Sequence, residues 1–154
     1  MSTRALRFVL VPALLLAVAG AHAQGQPSKA EQALKYRKAV YQAIAWNFAP
    51  MGAMAQGKIP HDPKEFALRA ERVAQLAPMV AESFSPDTRS LAGSEAKAEL
   101  WSNRADFDAK MRDFVERSAT LATVARTGDA AKSKAAFLDA ANTCKACHDK
   151  YKVD

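Results

Sequence analysis

Cysteine is almost missing from this 154-residue chain, which has two, at Cys144 and Cys147. A framework of structural disulfides is therefore excluded. A bridge between thiols three residues apart would also restrain little of the unfolded chain. Hairpin signals are missing as well: no Asn-Gly or Asp-Gly pair occurs, and Val, Ile and Thr never alternate for long, which excludes a β-sheet protein. No block of like charge stands out among 22 basic and 16 acidic residues, and no nucleic-acid motif appears, so no nucleic-acid partner is expected. Neither paired carboxylates nor a nucleophile beside a base can be picked out, and no enzymatic activity is read. What is present is a hydrophobic fraction of 49% with 25% charged residues, the balance of a folded globular chain of one domain.

The N-terminus has a separate purpose. Arg4 and Arg7 form a basic start, Phe8 to Ala19 an apolar stretch, and Ala21-His22-Ala23 a small-x-small cleavage pattern. This is the layout of a secretory signal peptide, residues 1–23, leaving residues 24–154 as the mature domain. The apolar run is too short to span a bilayer and is interrupted by Pro12 and Gly20, so no membrane anchor is expected after cleavage. Loss of Arg4 and Arg7 lowers the formal net charge from +6 to +4, a mildly basic surface that suits an acidic partner.

The mature chain shows four stretches of helical periodicity. The first runs from about 28 to 56, with Ser28 and Glu31 as a capping box and a seam of Leu34, Arg37, Tyr41, Ile44, Phe48 and Met51. The second runs from about 63 to 83, capped by Asp62, with Pro63 in the first position, Glu65 completing a box, and Pro78 weakening its end. A loop from about 84 to 100 is long enough to wrap over something. The third helix spans about 102 to 126 and the fourth about 129 to 151, with a seam of Phe137, Ala141, Cys144, His148 and Tyr151. Alternating 4-and-3 spacing and short links predict an all-α, antiparallel, up-down-up-down four-helix bundle. His61, beside Pro60, is expected in solvent.

Chemistry enters with Cys144-Lys145-Ala146-Cys147-His148, a C-x-x-C-H run that specifies covalent attachment of haem c, one per chain. Thiols three apart on a helix face the same way and can each form a thioether, while His148 is held as axial iron ligand. A redox C-x-x-C belongs instead at a helix N-terminus after a strand, and a chance thiol pair beside a core histidine would make the protein a haem-free binding module. Six residues follow His148, so a second axial ligand must come from upstream. The bundle predicts haem contacts at Leu34, Arg37, Tyr41, Val80, Phe84, Trp101 and Phe107. Met51 and Met54 lie roughly 15 Å further along the first helix and are poorly placed as ligands. Met79 and Met111 remain candidates. Arg37 on an apolar seam reads as a partner for a haem propionate, or as a packed stem reaching solvent. Tyr41, one turn on, faces the open side of the iron or is a core aromatic.

The mature chain resembles the cytochrome c′ family, the high-spin branch of the class II cytochromes c. The resemblance rests on Lys35-Tyr36-Arg37, on Gly52 through Asp62, on Glu99-Leu100-Trp101-Ser102, and on Cys144 through Asp149. It implies a periplasmic homodimer with iron ligated by His148 alone, a crowded distal face, and binding of NO and CO, with electron transfer to a partner protein as a further role. It puts the distal position on Tyr41, the haem-contact pair on Arg37 and Lys38, and a loop contact on Glu95. Where the family commonly has Arg four residues after the ligand His, this chain has Lys152, which keeps the charge without the planar fork. Two functions follow: a gas-binding high-spin haem protein, or a six-coordinate low-spin electron carrier using Met79 or Met111.

Overall fold

Ser28 and Glu31 start the first helix reciprocally. The Glu31 amide donates to Ser28 Oγ at 3.2 Å, and the Ser28 amide donates to the Glu31 carboxylate at 2.7 Å. In the computed structural model, which describes residues 26–84 and 88–153, this box opens α1, Lys29–Ala55. The signal-peptide reading over residues 1–23 lies outside the described residues. Pro50 sits inside α1, yet the helix runs on to bury Met51 completely. Gly57, at a φ of +69°, then lets the chain turn in a conformation other residues resist.

Asp62 caps α2, Pro63–Glu82, by accepting from the amides of Lys64 and Glu65 at 2.9 and 3.1 Å. Glu65 does not return the contact as a box would: its carboxylate is held by Arg69 at 2.6 Å. Pro78 lies inside α2 one turn from its end, and the helix runs on through it to Glu82 without the bond its missing N–H would have made. The third helix, expected from about 102, begins at Arg104, behind a short helical turn that the loop reading did not foresee. A short α3, Glu99–Ser102, ends at Asn103, and α4 then runs Arg104–Ala125. The break rotates the helical phase, so Leu100 is buried while Trp101 is only half-buried. Asp129 caps α5, Ala130–Tyr151, accepting from the Lys132 amide at 3.0 Å.

The long helices form the expected four-helix bundle, α1 to α2 and α4 to α5 joined by short links and α2 to α4 by the long loop that carries α3, with no strand among the described residues. α1 packs on α2, α2 on α4, and α4 on α5, while α1 and α5 meet over a much smaller area. At the end where α1 finishes and α5 begins, that gap is filled by Phe48 against Phe137, ring centroids 4.7 Å apart, and Phe137 against Phe66 at 6.4 Å. Burial of such rings contributes roughly 1.5–3 kcal/mol each. His61 belongs to this end. Contrary to the solvent position expected for it, the ring lies 5.2 Å from Phe66 and its Nε2 is buried without a partner. Gly57 and Pro60 fold the turn back on the core, which an isolated reading of a Pro-His pair does not reveal.

Candidate functional site

At the opposite end, where α1 begins and α5 finishes, the helices stand apart around a cavity of about 420 Å³. α1 contributes Leu34, Arg37, Lys38, Tyr41 and Gln42, and α5 with its following residue contributes Cys147, His148, Tyr151 and Lys152. Phe84, Leu100 and Phe107 form the wall between, and the loop closes the mouth with Gly93, Glu95 and Ala96. The seam spacing puts Cys144 and His148 one helical turn apart, and both cysteines are partly buried free thiols. Desolvation pushes both thiols up. His148 is exposed at the rim. Partial desolvation, then repulsion from Lys152, holds its imidazole below the usual histidine value and so favours the neutral, metal-ligating form.

The predicted loop is a strap. The Lys97 amide donates to the Tyr151 carbonyl at 2.8 Å, and the Val153 amide donates to the Glu95 carbonyl at 2.9 Å. Ala96 and Lys152 pair as an isolated antiparallel bridge, and Lys152 Nζ lies 3.1 Å from the Glu95 carboxylate. These contacts buckle the loop to the residues just beyond His148. Gly93 permits the approach to α1: its φ is +77°, and a Cβ there would come within 3.2 Å of Lys38 Nζ. Tyr151 is fixed from the other side by donating to Asp106 at 2.5 Å and by an edge-on contact with Phe107 at 5.8 Å.

Arg37 is 5% exposed, and its guanidinium donates to the Ser83 carbonyl at 2.5 Å and to Thr88 Oγ1 at 2.7 Å. It also stacks 3.8 Å above the Phe84 ring. Part of its donor capacity therefore secures the end of α2 and the loop, a role the seam pattern did not reveal. Burial raises the Tyr41 phenol well above its ordinary value, keeping it protonated.

The structure brings together Arg37, Lys38, Tyr41, Glu95, Cys147 and His148 around one cavity, with Leu34, Phe84 and Phe107 as expected. It does not bring Val80 or Trp101 to the lining. Val80 faces the core, and Leu100 takes the place read for Trp101 because of the break at Asn103. Gln42, Gly93, Ala96 and Leu100 were not singled out. Only Gly93 had a local signal, a glycine inside a long loop. Met79 is on the surface at 41% exposed and Met111 is in the core at 5%. No methionine is among the described residues lining the cavity.

The cavity fits a haem c. Its volume lies within the roughly 300–1,000 Å³ typical of cofactor sites. The walls are apolar, while Arg37, Lys38 and Lys152 provide positive charge for a dianionic edge. Cys147 and His148 reach it from α5, with Cys144 one turn back.

The family model for cytochrome c′ matches residues 32–152. The cytochrome c′ of Rubrivivax gelatinosus is 38% identical over 127 residues, covering 82% of this chain and 98% of that protein. A solved cytochrome c prime from Shewanella frigidimarina is 40% identical with a TM-score of 0.79, covering 84% of this chain and all of that one. A nitric oxide complex of a variant cytochrome c prime from Alcaligenes xylosoxidans is 32% identical with a TM-score of 0.75, covering 84% of this chain and all of that one. The cofactor of such proteins is covalently bound haem c, with which the two cysteines here are compatible. The chain belongs to the cytochrome c′ family and is a haem c cytochrome of the electron-carrier type.

Proposed function

We propose that this cytochrome works in the bacterial periplasm after loss of residues 1–23, and that it takes up NO and CO on the Tyr41 side of its haem while retaining electron transfer. Cys144 and Cys147 would hold the haem through thioethers, and His148 would ligate its iron. When bound, the haem supplies a one-electron redox centre and a coordination position for a diatomic gas. Arg37 and Lys38 would hold the propionate edge, with Glu95 beside it on the loop, and Tyr41 would crowd the remaining space of the cavity. The observation that carries this reading is that no methionine lines the described cavity, which leaves the Tyr41 side without a soft second ligand. The nitric oxide complex of the Alcaligenes relative supports gas uptake. Apolar surface left by Tyr36 and Trp46 on α1 and Met79 on α2 supports a homodimer. No described helix is long and apolar enough to cross a membrane.

A reduced-minus-oxidised visible spectrum of the purified holoprotein tests the reading. A broad high-spin spectrum that sharpens with CO or NO is expected. A sharp low-spin α-band without added ligand would overturn it and establish the six-coordinate carrier instead.

A further inference from the structure

Three lysines stand at the end of α5, and each is matched by a carboxylate. Lys145 Nζ lies 2.5 Å from Asp149, Lys150 Nζ 3.0 Å from Asp106, and Lys152 Nζ 3.1 Å from Glu95. Around Cys144, Cys147 and His148 these charges cancel in pairs. Lys110 on α4 breaks the pattern. The nearby carboxylates of its own helix are taken, Asp108 by Arg104 at 2.8 Å and Asp106 by Lys150 and Tyr151. Lys110 makes no ion pair among the described residues, and it is half-buried. A half-buried charge with no counter-ion in contact is screened less than one in open water.

The register of two helices puts Lys110 opposite an attachment cysteine. α4 leads into α5 through the short link after Ala125, and Asp106 near the start of α4 meets Lys150 and Tyr151 at the end of α5. The two helices are therefore antiparallel neighbours. One turn on from Asp106 along α4 is Lys110, and one turn back from Tyr151 along α5 is Cys147. In keeping with that register, the Lys110 charge acts on the Cys147 sulfur more than the Asp106 charge does.

We propose that Lys110 is an electrostatic tuning residue of the redox centre: its unmatched charge, set opposite Cys147, favours the reduced haem iron over the oxidised one. The proposal rests on haem attachment at Cys147 and goes beyond the reading of gas uptake. One electron from a redox partner takes ferric iron to ferrous and removes one positive charge from the centre. A fixed cation nearby repels the oxidised form more than the reduced one, and so raises the affinity for that electron.

Potentiometric titration of the purified holoprotein, followed by visible spectroscopy with soluble mediators, is the test. Lys110→Met keeps the stem and loses the charge. It should lower the electron affinity of the oxidised iron about threefold to tenfold, a tenfold change being about 59 mV for one electron. Lys110→Arg keeps the charge and should stay within about twofold of the wild type. Arg112→Met removes an exposed charge from the other side of α4, since two residues turn a helix by about 200°, and should also leave the potential in place. An unchanged potential in Lys110→Met would overturn the proposal. An equal shift in Arg112→Met would do so too, by showing dependence on net charge alone, and an equal shift in Lys110→Arg by showing a packing role. Lys110→Gln decides the same question should the methionine variant not fold. Failure of the attachment reading is separately visible: the wild-type protein would then give no covalent haem by pyridine haemochrome.

Discussion

The two ends of the bundle use the same kind of residue for opposite purposes. At the far end Phe48, Phe66 and Phe137 close the gap between α1 and α5 with ring on ring. At the cavity end Phe84, Phe107 and Tyr151 stack with centroids 4.8 and 5.8 Å apart but stay on one side, leaving α1 and α5 separated. The difference lies in what α1 presents. Toward the far end it offers Gly52, where a Cβ would come within 3.3 Å of the Phe137 ring, so α5 can close in. Toward the cavity it offers Arg37 and Tyr41, long polar-tipped side chains that hold a space open. Aromatic content alone does not make a cofactor site; the facing helix decides whether rings fill a gap or line one.

The largest test of that contrast is removal of both thiols. Cys144→Ser with Cys147→Ser should abolish covalent haem, measured by pyridine haemochrome after acidic organic extraction. Haem that stays attached would refute the assignment of the cavity end. Next is Phe66→Ala at the far end. It should cost about 3–5 kcal/mol through the void it leaves, read as a lowered denaturation midpoint, while the haem spectrum keeps its shape. A spectral change of the kind expected for a cavity-end substitution would show that the two ends are not independent.

Arg37→Ala should have a smaller effect, about 1.5–3 kcal/mol from the charged hydrogen bonds to Ser83 and Thr88 that it removes. Chemical denaturation measures this. A loss confined to haem behaviour, with stability unchanged, would mean that its contacts to the loop are incidental. The smallest effect concerns Asp106. The Tyr151 hydroxyl, then Lys150, holds its carboxyl below the usual carboxylate range. A carboxyl lowered on folding contributes stability that is present above its unfolded value and lost as pH falls through the folded one. Asp106→Asn should therefore flatten the decline of thermal stability on acidification below the ordinary carboxylate range. An unchanged slope would show that the Tyr151 clamp does not bear on stability.

Much of this architecture was legible in the residues. Ser28 and Glu31, Asp62 with Pro63, and Asp129 mark helix starts because capping is local chemistry between residues two to four apart. The four seams follow from periodicity, and Cys144, Cys147 and His148 from a spacing that one helical turn explains. The loop was harder to read. That Glu95, Ala96 and Lys97 pair with Val153, Lys152 and Tyr151 respectively depends on segments more than fifty residues apart meeting. The exchange of Trp101 for Leu100 depends on the phase slip at Asn103, where the backbone leaves the helical region at a φ of −115° and ψ of 44°.

By itself, then, the sequence determined the helices, their caps and the attachment motif, since each is settled within a turn or two of chain. Only the tertiary structure decided that His61 packs against Phe66 at the far end, that Arg37 bonds Ser83 and Thr88, and that Met79 and Met111 do not line the cavity. It alone gives Tyr36 and Tyr151 each a carboxylate to donate to. The physical reason is the same throughout. Whether a polar group is partnered depends on what a distant segment brings within about 3 Å, and no local pattern encodes that distance.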